Sequence, residues 1–198
     1  MSLIPAFEIG LWNAWIFMLL EVLTFPLFTR IATGRAPEVE GKRQVSALSR
    51  TTRITLYSSK IIYIPAFIYS IFLPLKLGTV WFYVGLPITL IGFIAGVIVI
   101  LNWAASPLGE PVTNGLYRYS RHPMYVTSFI FFLGVSIATA SWVFLLFTIL
   151  LIAASFYFAP LEERSCLEKY GDAYREYMKR TPRYLGIPKS ERSDRQAM

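Results

Sequence analysis

The chain alternates between long apolar runs and short polar breaks. Apolar stretches cover residues 11–28, 54–75, 79–103, 123–138 and 142–160. A helix crosses the hydrocarbon core with roughly 20 apolar residues, so the pattern predicts an all-α, polytopic membrane protein of about five transmembrane helices. The connections differ in kind. Residues 30–53 are hydrophilic, with Arg30, Arg35, Lys42, Arg43, Arg50 and Arg53 against Glu38 and Glu40. Thr33-Gly34 and Ala36-Pro37 mark turns there. Lys76-Leu77-Gly78 is a very short link, whereas residues 104–121 turn repeatedly at Pro107, Pro111 and Asn114-Gly115. Pro123, directly after His122, suits the first turn of a helix with His122 near its cap. The last two spans form a hairpin around Ala138-Thr139-Ala140-Ser141, and the fourth is short enough to need tilt or shielding by its neighbours.

Two further patterns refine this picture. Gly85, Gly92 and Gly96 recur along the third span, a spacing that lets helices approach closely. After residue 160 the pattern changes: Leu167, Tyr170, Tyr174, Tyr177 and Met178 recur at three and four residues, with charges on the opposite side. That predicts an amphipathic C-terminal helix over residues 161–183, ended by Thr181-Pro182, on the membrane surface or folded back over it.

Composition agrees with a single integral-membrane domain over residues 1–198: 55% of residues are hydrophobic and the mean hydropathy is +0.51. The net charge of +7 raises nucleic acid as a partner, but the cations cluster between apolar runs. That distribution fits membrane orientation instead, and speaks against nucleic-acid binding. It places the 30–53 loop, the Arg118/Arg121 segment and the tail in the cytoplasm, with the N-terminus and the 138–141 turn outside. The first run lacks a basic leader and a small-residue cleavage site, so it reads as a retained helix. Cys166 is the only cysteine, which excludes an intramolecular disulfide. One His and one Cys also supply no metal-ligand spacing, and no obligate protein partner is evident.

The chemistry concentrates in two places. Residues 114–125 form a polar island containing His122, the single histidine, and Glu162-Glu163-Arg164 follow after a nearly uncharged stretch. A hairpin brings both ends of that stretch to one membrane face, together with Tyr117, Tyr119 and Tyr125. A helix start beside His and Arg is an anion site. Two carboxylates opposite it take an ammonium, a ribose diol or a sulfonium, and the tyrosines stack on a base or face a cation. The set suits a zwitterionic, aromatic ligand such as S-adenosylmethionine. Tyr and Arg also serve simply as interfacial anchors, so spacing alone leaves both readings open. Glu21, in the middle of the first run, is open in the same way between a ligand contact and a packing residue.

The motifs add a resemblance. Gly115-Leu116-Tyr117, Arg121-His122-Pro123-Met124-Tyr125, Glu162-Glu163 and residues 170–177 ahead of Thr181-Pro182-Arg183 resemble the isoprenylcysteine carboxyl methyltransferase family, in a short prokaryotic membrane form. The likeness covers residues 102–183 and extends more loosely to phospholipid N-methyltransferases and membrane sterol reductases. It implies S-adenosylmethionine as cofactor, bound by Asn102, Gly109, Glu110, Pro111, Val112, Tyr117, His122, Pro123, Met124, Tyr125 and Glu162. It implies methylation of the carboxylate of a lipophilic, prenylcysteine-like acceptor drawn from the bilayer. Arg183 or Arg164 would steer that carboxylate, because Phe158 stands where eukaryotic members have an arginine. Glu163 is the candidate base if the acceptor is an amine. The rival readings are an amine N-methyltransferase, an NADPH-dependent isoprenoid or sterol reductase, and a non-catalytic scaffold.

Overall fold

A computed structural model describes residues 7–33, 62–107 and 109–188. Among them are six α-helices and no strand: α1 (Trp15–Thr33), α2 (Ile62–Ile71), α3 (Val80–Ala104), α4 (Pro123–Ala138), α5 (Trp142–Tyr170) and α6 (Asp172–Arg180). A 3-10 turn, Gly115–Arg118, precedes α4. α3 and α5 are long and apolar enough to cross a membrane. At 1.5 Å per residue α4 is only about 24 Å long, below the roughly 30 Å of a hydrocarbon core.

Along α3 the small residues pack inward and the large apolar ones face outward. α3 buries Gly85, Thr89, Gly92 and Val99, small residues about a turn apart, while Ile91, Ile94 and Ile98 are exposed. Small groups on the packed face let backbones meet, and the large apolar groups are left for lipid. The contact of α3 with α4 shows the consequence. A Cβ added at Gly92 would lie 2.4 Å from the backbone nitrogen of Phe131, and one at Gly134 would lie 2.3 Å from that of Thr89. Gly92→Ala must therefore force the helices apart, and is expected to cost about 1–3 kcal/mol. Gly96→Ala is the control, because its Cβ would meet only Thr127 at 3.8 Å. Thermal unfolding in detergent checks this; equal midpoints for the two variants would contradict the close approach.

The core lies between α1, α2, α4 and α5, where Phe17, Met18, Ala66, Phe131, Phe132 and Phe144 are buried together. Phe132 stacks on Phe144 at 5.5 Å, and Ser136 shares a 3.0 Å hydrogen bond with Thr148 across the α4–α5 hairpin. At one end of the bundle the chain before α1 pairs with the α2–α3 connection. Ala14 N–H donates to Leu73 O at 2.9 Å and Leu75 N–H to Trp12 O at 3.0 Å, while Lys76 N–H donates to Ala138 O at 3.1 Å. The start of α1 and the 138–141 turn thus share one end of the bundle. The polar island occupies the other.

Three expected boundaries need correction. α2 ends at Ile71 rather than near residue 75, because the chain turns extended there and Pro74 bridges to Asn13. α1 starts at Trp15 and runs on through Pro26 to Thr33, beyond the expected 11–28. The fifth span and the amphipathic tail do not divide at residue 160: α5 passes through Pro160 to Tyr170, and the break falls at Gly171, with φ of 56°. Proline is tolerated within such helices when neighbours compensate the lost bond, whereas a left-handed glycine ends one. Residues 54–61 of the second span and 34–53 of the basic loop lie outside the described residues.

Candidate active site

Pro123 opens α4 at its first turn, which puts His122 at the cap with its ring directed across to α5. There Glu162 and Glu163 stand side by side past the last apolar turn. His122 Nδ1 lies 3.3 Å from Glu162 Oε2, and Nε2 lies 3.3 Å from Glu163 Oε1. Both ring nitrogens therefore face carboxylates, which requires a donor at each: the doubly protonated imidazolium. The Tyr125 hydroxyl donates to Glu162 Oε1 at 2.6 Å, and its ring stacks on His122 at 5.6 Å.

The chain after α6 closes the cluster. Arg121 N–H donates to Pro182 O at 3.0 Å and His122 N–H to Arg183 O at 3.2 Å, so the segment lies against the polar island like a short strand. This carries the Arg183 side chain to Glu163, which it grips with Nε at 3.0 Å and Nη2 at 2.8 Å. Arg121 Nη1 lies 3.2 Å from the same carboxylate. Tyr177, buried on α6, fixes the island from behind by donating to the carbonyls of Tyr117 at 2.7 Å and Ser120 at 3.3 Å.

The electrostatics follow from this crowding. Burial alone would raise the Glu163 carboxyl, but the bonds from His122 and Arg183 and the Arg121 charge outweigh it and hold the group at about 2. For His122, burial works toward neutrality and the two glutamates overcome it, so its pKa is raised above 6.5. The signs set a window. Glu163 contributes stability that is complete above its unfolded value of 4.5 and is lost as pH falls toward about 2. His122 contributes stability that is complete below 6.5 and is lost as pH rises through its raised folded value. The unfolding midpoint is expected to be highest between pH 4.5 and 6.5 and to fall on both sides. His122→Gln should abolish the alkaline fall. A wild-type midpoint that keeps rising with alkalinity would contradict the arrangement.

The sequence-derived site residues separate into groups. His122, Tyr125, Glu162, Glu163 and Arg183 are in direct contact, Pro123 is buried and Met124 half-buried beside them, and Tyr117 is buried on the 3-10 turn. Asn102, near the end of α3, lies against Gly115: a Cβ there would come within 2.0 Å of its Nδ2. That Nδ2 is buried without a hydrogen-bond partner. Gly109 and Glu110 are exposed on the connecting loop, and Pro111 and Val112 are half-buried. Arg164 is exposed, one residue further round α5 than Glu163. Spacing did not single out Arg121, although it sits inside the motif next to His122, nor Tyr184, which approaches the His122 ring at 6.4 Å. Adjacency to the only histidine was the available signal for Arg121; for Tyr184 it was the turn after Thr181-Pro182.

Beside the cluster lies an apolar cavity of about 390 Å³ between α2, α4, α5 and the terminal segment. Tyr125 and Tyr184 form part of its wall, as do Phe129, Phe156 and Phe158.

Over 78 residues the chain is 38% identical to a protein-S-isoprenylcysteine O-methyltransferase of Schizosaccharomyces pombe, covering 39% of this chain and 32% of that protein. The matched stretch thus spans about a third of the relative's length. Residues 104–173, which supply Arg121, His122, Tyr125, Glu162 and Glu163, match the phospholipid methyltransferase family.

Proposed function

We propose that the protein is a membrane-embedded methyltransferase that transfers the methyl group of S-adenosylmethionine to the carboxylate of a lipophilic, prenylcysteine-like acceptor. One observation carries the reading: the apolar cavity and the ionic cluster share Tyr125, whose ring lines the cavity while its hydroxyl bonds Glu162. A lipid tail held in the cavity presents its polar end to the charged groups. The cavity volume is within the ordinary range for small-molecule sites. In this reading the chain crosses the bilayer five times, with the cluster and the C-terminus on the cytoplasmic side.

The residues present fit the cofactor. Asn102 Nδ2 is a buried donor without an acceptor, and its amide fills the space that a side chain at Gly115 would take. Asn102, Tyr117 and Glu162 would hold the nucleoside and its cationic end, and the 109–112 loop would close over them. The cofactor supplies an electrophilic methyl group on a sulfonium. The chain's own task is positional. A carboxylate acceptor is ionised at neutral pH, so no base is needed, and alignment in a water-poor site provides the rate. Arg183, 40% exposed and using one edge of its guanidinium on Glu163, has another edge for the acceptor carboxylate.

The phospholipid methyltransferase match favours a second reading, an amine acceptor. An ammonium must lose a proton before attack, and Glu163, held at about 2 by three cations, is a poor base for it. The carboxylate reading is preferred for that reason. Methyl-labelled S-adenosylmethionine, incubated with purified protein and either N-acetyl-S-farnesylcysteine or phosphatidylethanolamine, tests it: label is expected in a base-labile ester of the first. Arg183→Ala should raise the KM for that acceptor about tenfold or more, as expected for loss of a charged hydrogen bond, while Arg164→Ala leaves it within about twofold. Label in the phospholipid alone would move the protein to the amine class.

A further inference from the structure

Tyr184 belongs to no helix, yet it is tied to three parts of the site. Its segment follows α6 and pairs with the polar island: besides the bonds at Pro182 and Arg183, Gly186 N–H donates to Tyr119 O at 3.2 Å. From there the side chain crosses to α5, where its hydroxyl donates to Ser155 O at 3.0 Å. The ring meets Phe156 edge-on at 5.1 Å and tilts against His122 at 6.4 Å. The proposed transfer gives this residue no task.

An interfacial tyrosine ordinarily points its hydroxyl toward water and headgroups. Tyr184 does the reverse. Its hydroxyl ends on a carbonyl of α5, an oxygen whose second lone pair is open to a side chain. The exposed apolar groups of the same segment are Leu185 and Ile187. Anchoring therefore does not account for Tyr184.

Its place does. Arg183 and Tyr184 are consecutive, and both reach α5, the first at Glu163 and the second at Ser155. Those two levels lie about 12 Å apart at 1.5 Å per residue. The rings of Tyr125, His122, Tyr184 and Phe156 follow one another at 5.6, 6.4 and 5.1 Å, an arc from α4 to α5. Tyr125, Tyr184 and Phe156 also line the cavity. Glu162, Glu163 and Arg183 stand on one side of the arc. On the other the cavity continues to Phe129 and Leu151, one turn deeper on α4 and α5. A ligand with its charged head at Arg183 and its tail in the cavity must pass this arc.

We infer that Tyr184 is a specificity-determining residue that forms the neck of the acceptor site. Its ring packs on the first segment of the tail, next to the charged head, and its bond to Ser155 fixes the ring there. The inference rests on the acceptor reading above. It has a distinct signature: a neck touches every ligand that passes it, whatever the tail length beyond or the head charge before. Arg183, by contrast, senses only the head.

Dissociation constants are measured on the full chain in lipid nanodiscs for three probes: S-farnesylthiopropionic acid, its S-geranyl analogue and the primary amide of the farnesyl acid. S-adenosylhomocysteine affinity checks the fold of each variant. Tyr184→Ala is expected to weaken all three by a similar factor, about tenfold for loss of an aromatic contact. Tyr184→Phe keeps the ring and should stay within about threefold of wild type, the cost of holding it without the Ser155 bond. Arg183→Ala should weaken the two acids and spare the amide. A loss in Tyr184→Ala confined to the acids would mean that the residue acts only through Arg183, and would overturn the neck. So would affinities within about twofold of wild type for all three probes. Should Tyr184→Ala lose S-adenosylhomocysteine affinity, Tyr184→Leu decides in its place, with an equal loss across the probes again expected. Failure of the wild type to bind any probe overturns the neck and the acceptor reading together. If the pattern holds but neither acid is methylated, the proposed activity fails and the neck stands.

Discussion

Glu163→Ala is expected to lower the stability of the protein by about 3–5 kcal/mol, the cost of breaking a buried pair by removing one partner. Glu163 is only 3% exposed, and its two oxygens meet His122, Arg121 and Arg183 at 3.3, 3.2 and 2.8 Å. Truncation leaves the His122 and Arg121 side chains, 7% and 10% exposed, with their main counter-charge gone. It also releases the segment after α6, which Arg183 ties to the polar island. For a chain of this size each kcal/mol shifts the midpoint by about 2–4 °C, so a fall of about 10 °C is expected in detergent. Glu163→Gln keeps an acceptor and should lose less. A midpoint within about 2 °C of wild type for the alanine variant would mean that the three cations find other partners.

His122→Ala should act mainly on ligand binding. The imidazolium is the one group in contact with both glutamates, and it stacks on Tyr125 and approaches Tyr184. Without it Glu163 retains two arginines, so the fold survives better than in Glu163→Ala. Glu162 keeps only the Tyr125 hydroxyl, and both tyrosines lose the ring that sets them. S-adenosylhomocysteine affinity is expected to fall at least about 100-fold, equivalent to about 2.8 kcal/mol. Titration against the folded variant checks this; affinity within about threefold of wild type would remove His122 from the site.

Much of this was legible in the sequence because membrane helices announce themselves by composition. α3 and α4 begin and end within a residue of the expected 79–103 and 123–138. The hairpin argument also sufficed to bring His122 to Glu162 and Glu163, since an uncharged stretch with a single turn returns its ends to one face. Three things were not legible, each for a physical reason. Pro160 looked like a break and is not one, because proline's fixed φ is helical and membrane helices absorb the missing bond; Gly171 ends α5 instead. That Arg183 reaches Glu163 depends on the backbone pairing of residues 182 and 183 with 121 and 122, a long-range contact with no local periodicity. The contact of Glu21 with Ser128 on α4, more than a hundred residues away, also has no local signal.

The most direct test of the central claim is calorimetric titration of the detergent-purified protein with S-adenosylhomocysteine and, separately, with NADPH. Binding of S-adenosylhomocysteine alone, lost in His122→Ala, is the expected result. Binding of NADPH alone would contradict it and assign the cluster to reductive chemistry on an isoprenoid or sterol, and silence from both ligands in a folded sample would reduce the polar island to an interfacial anchor.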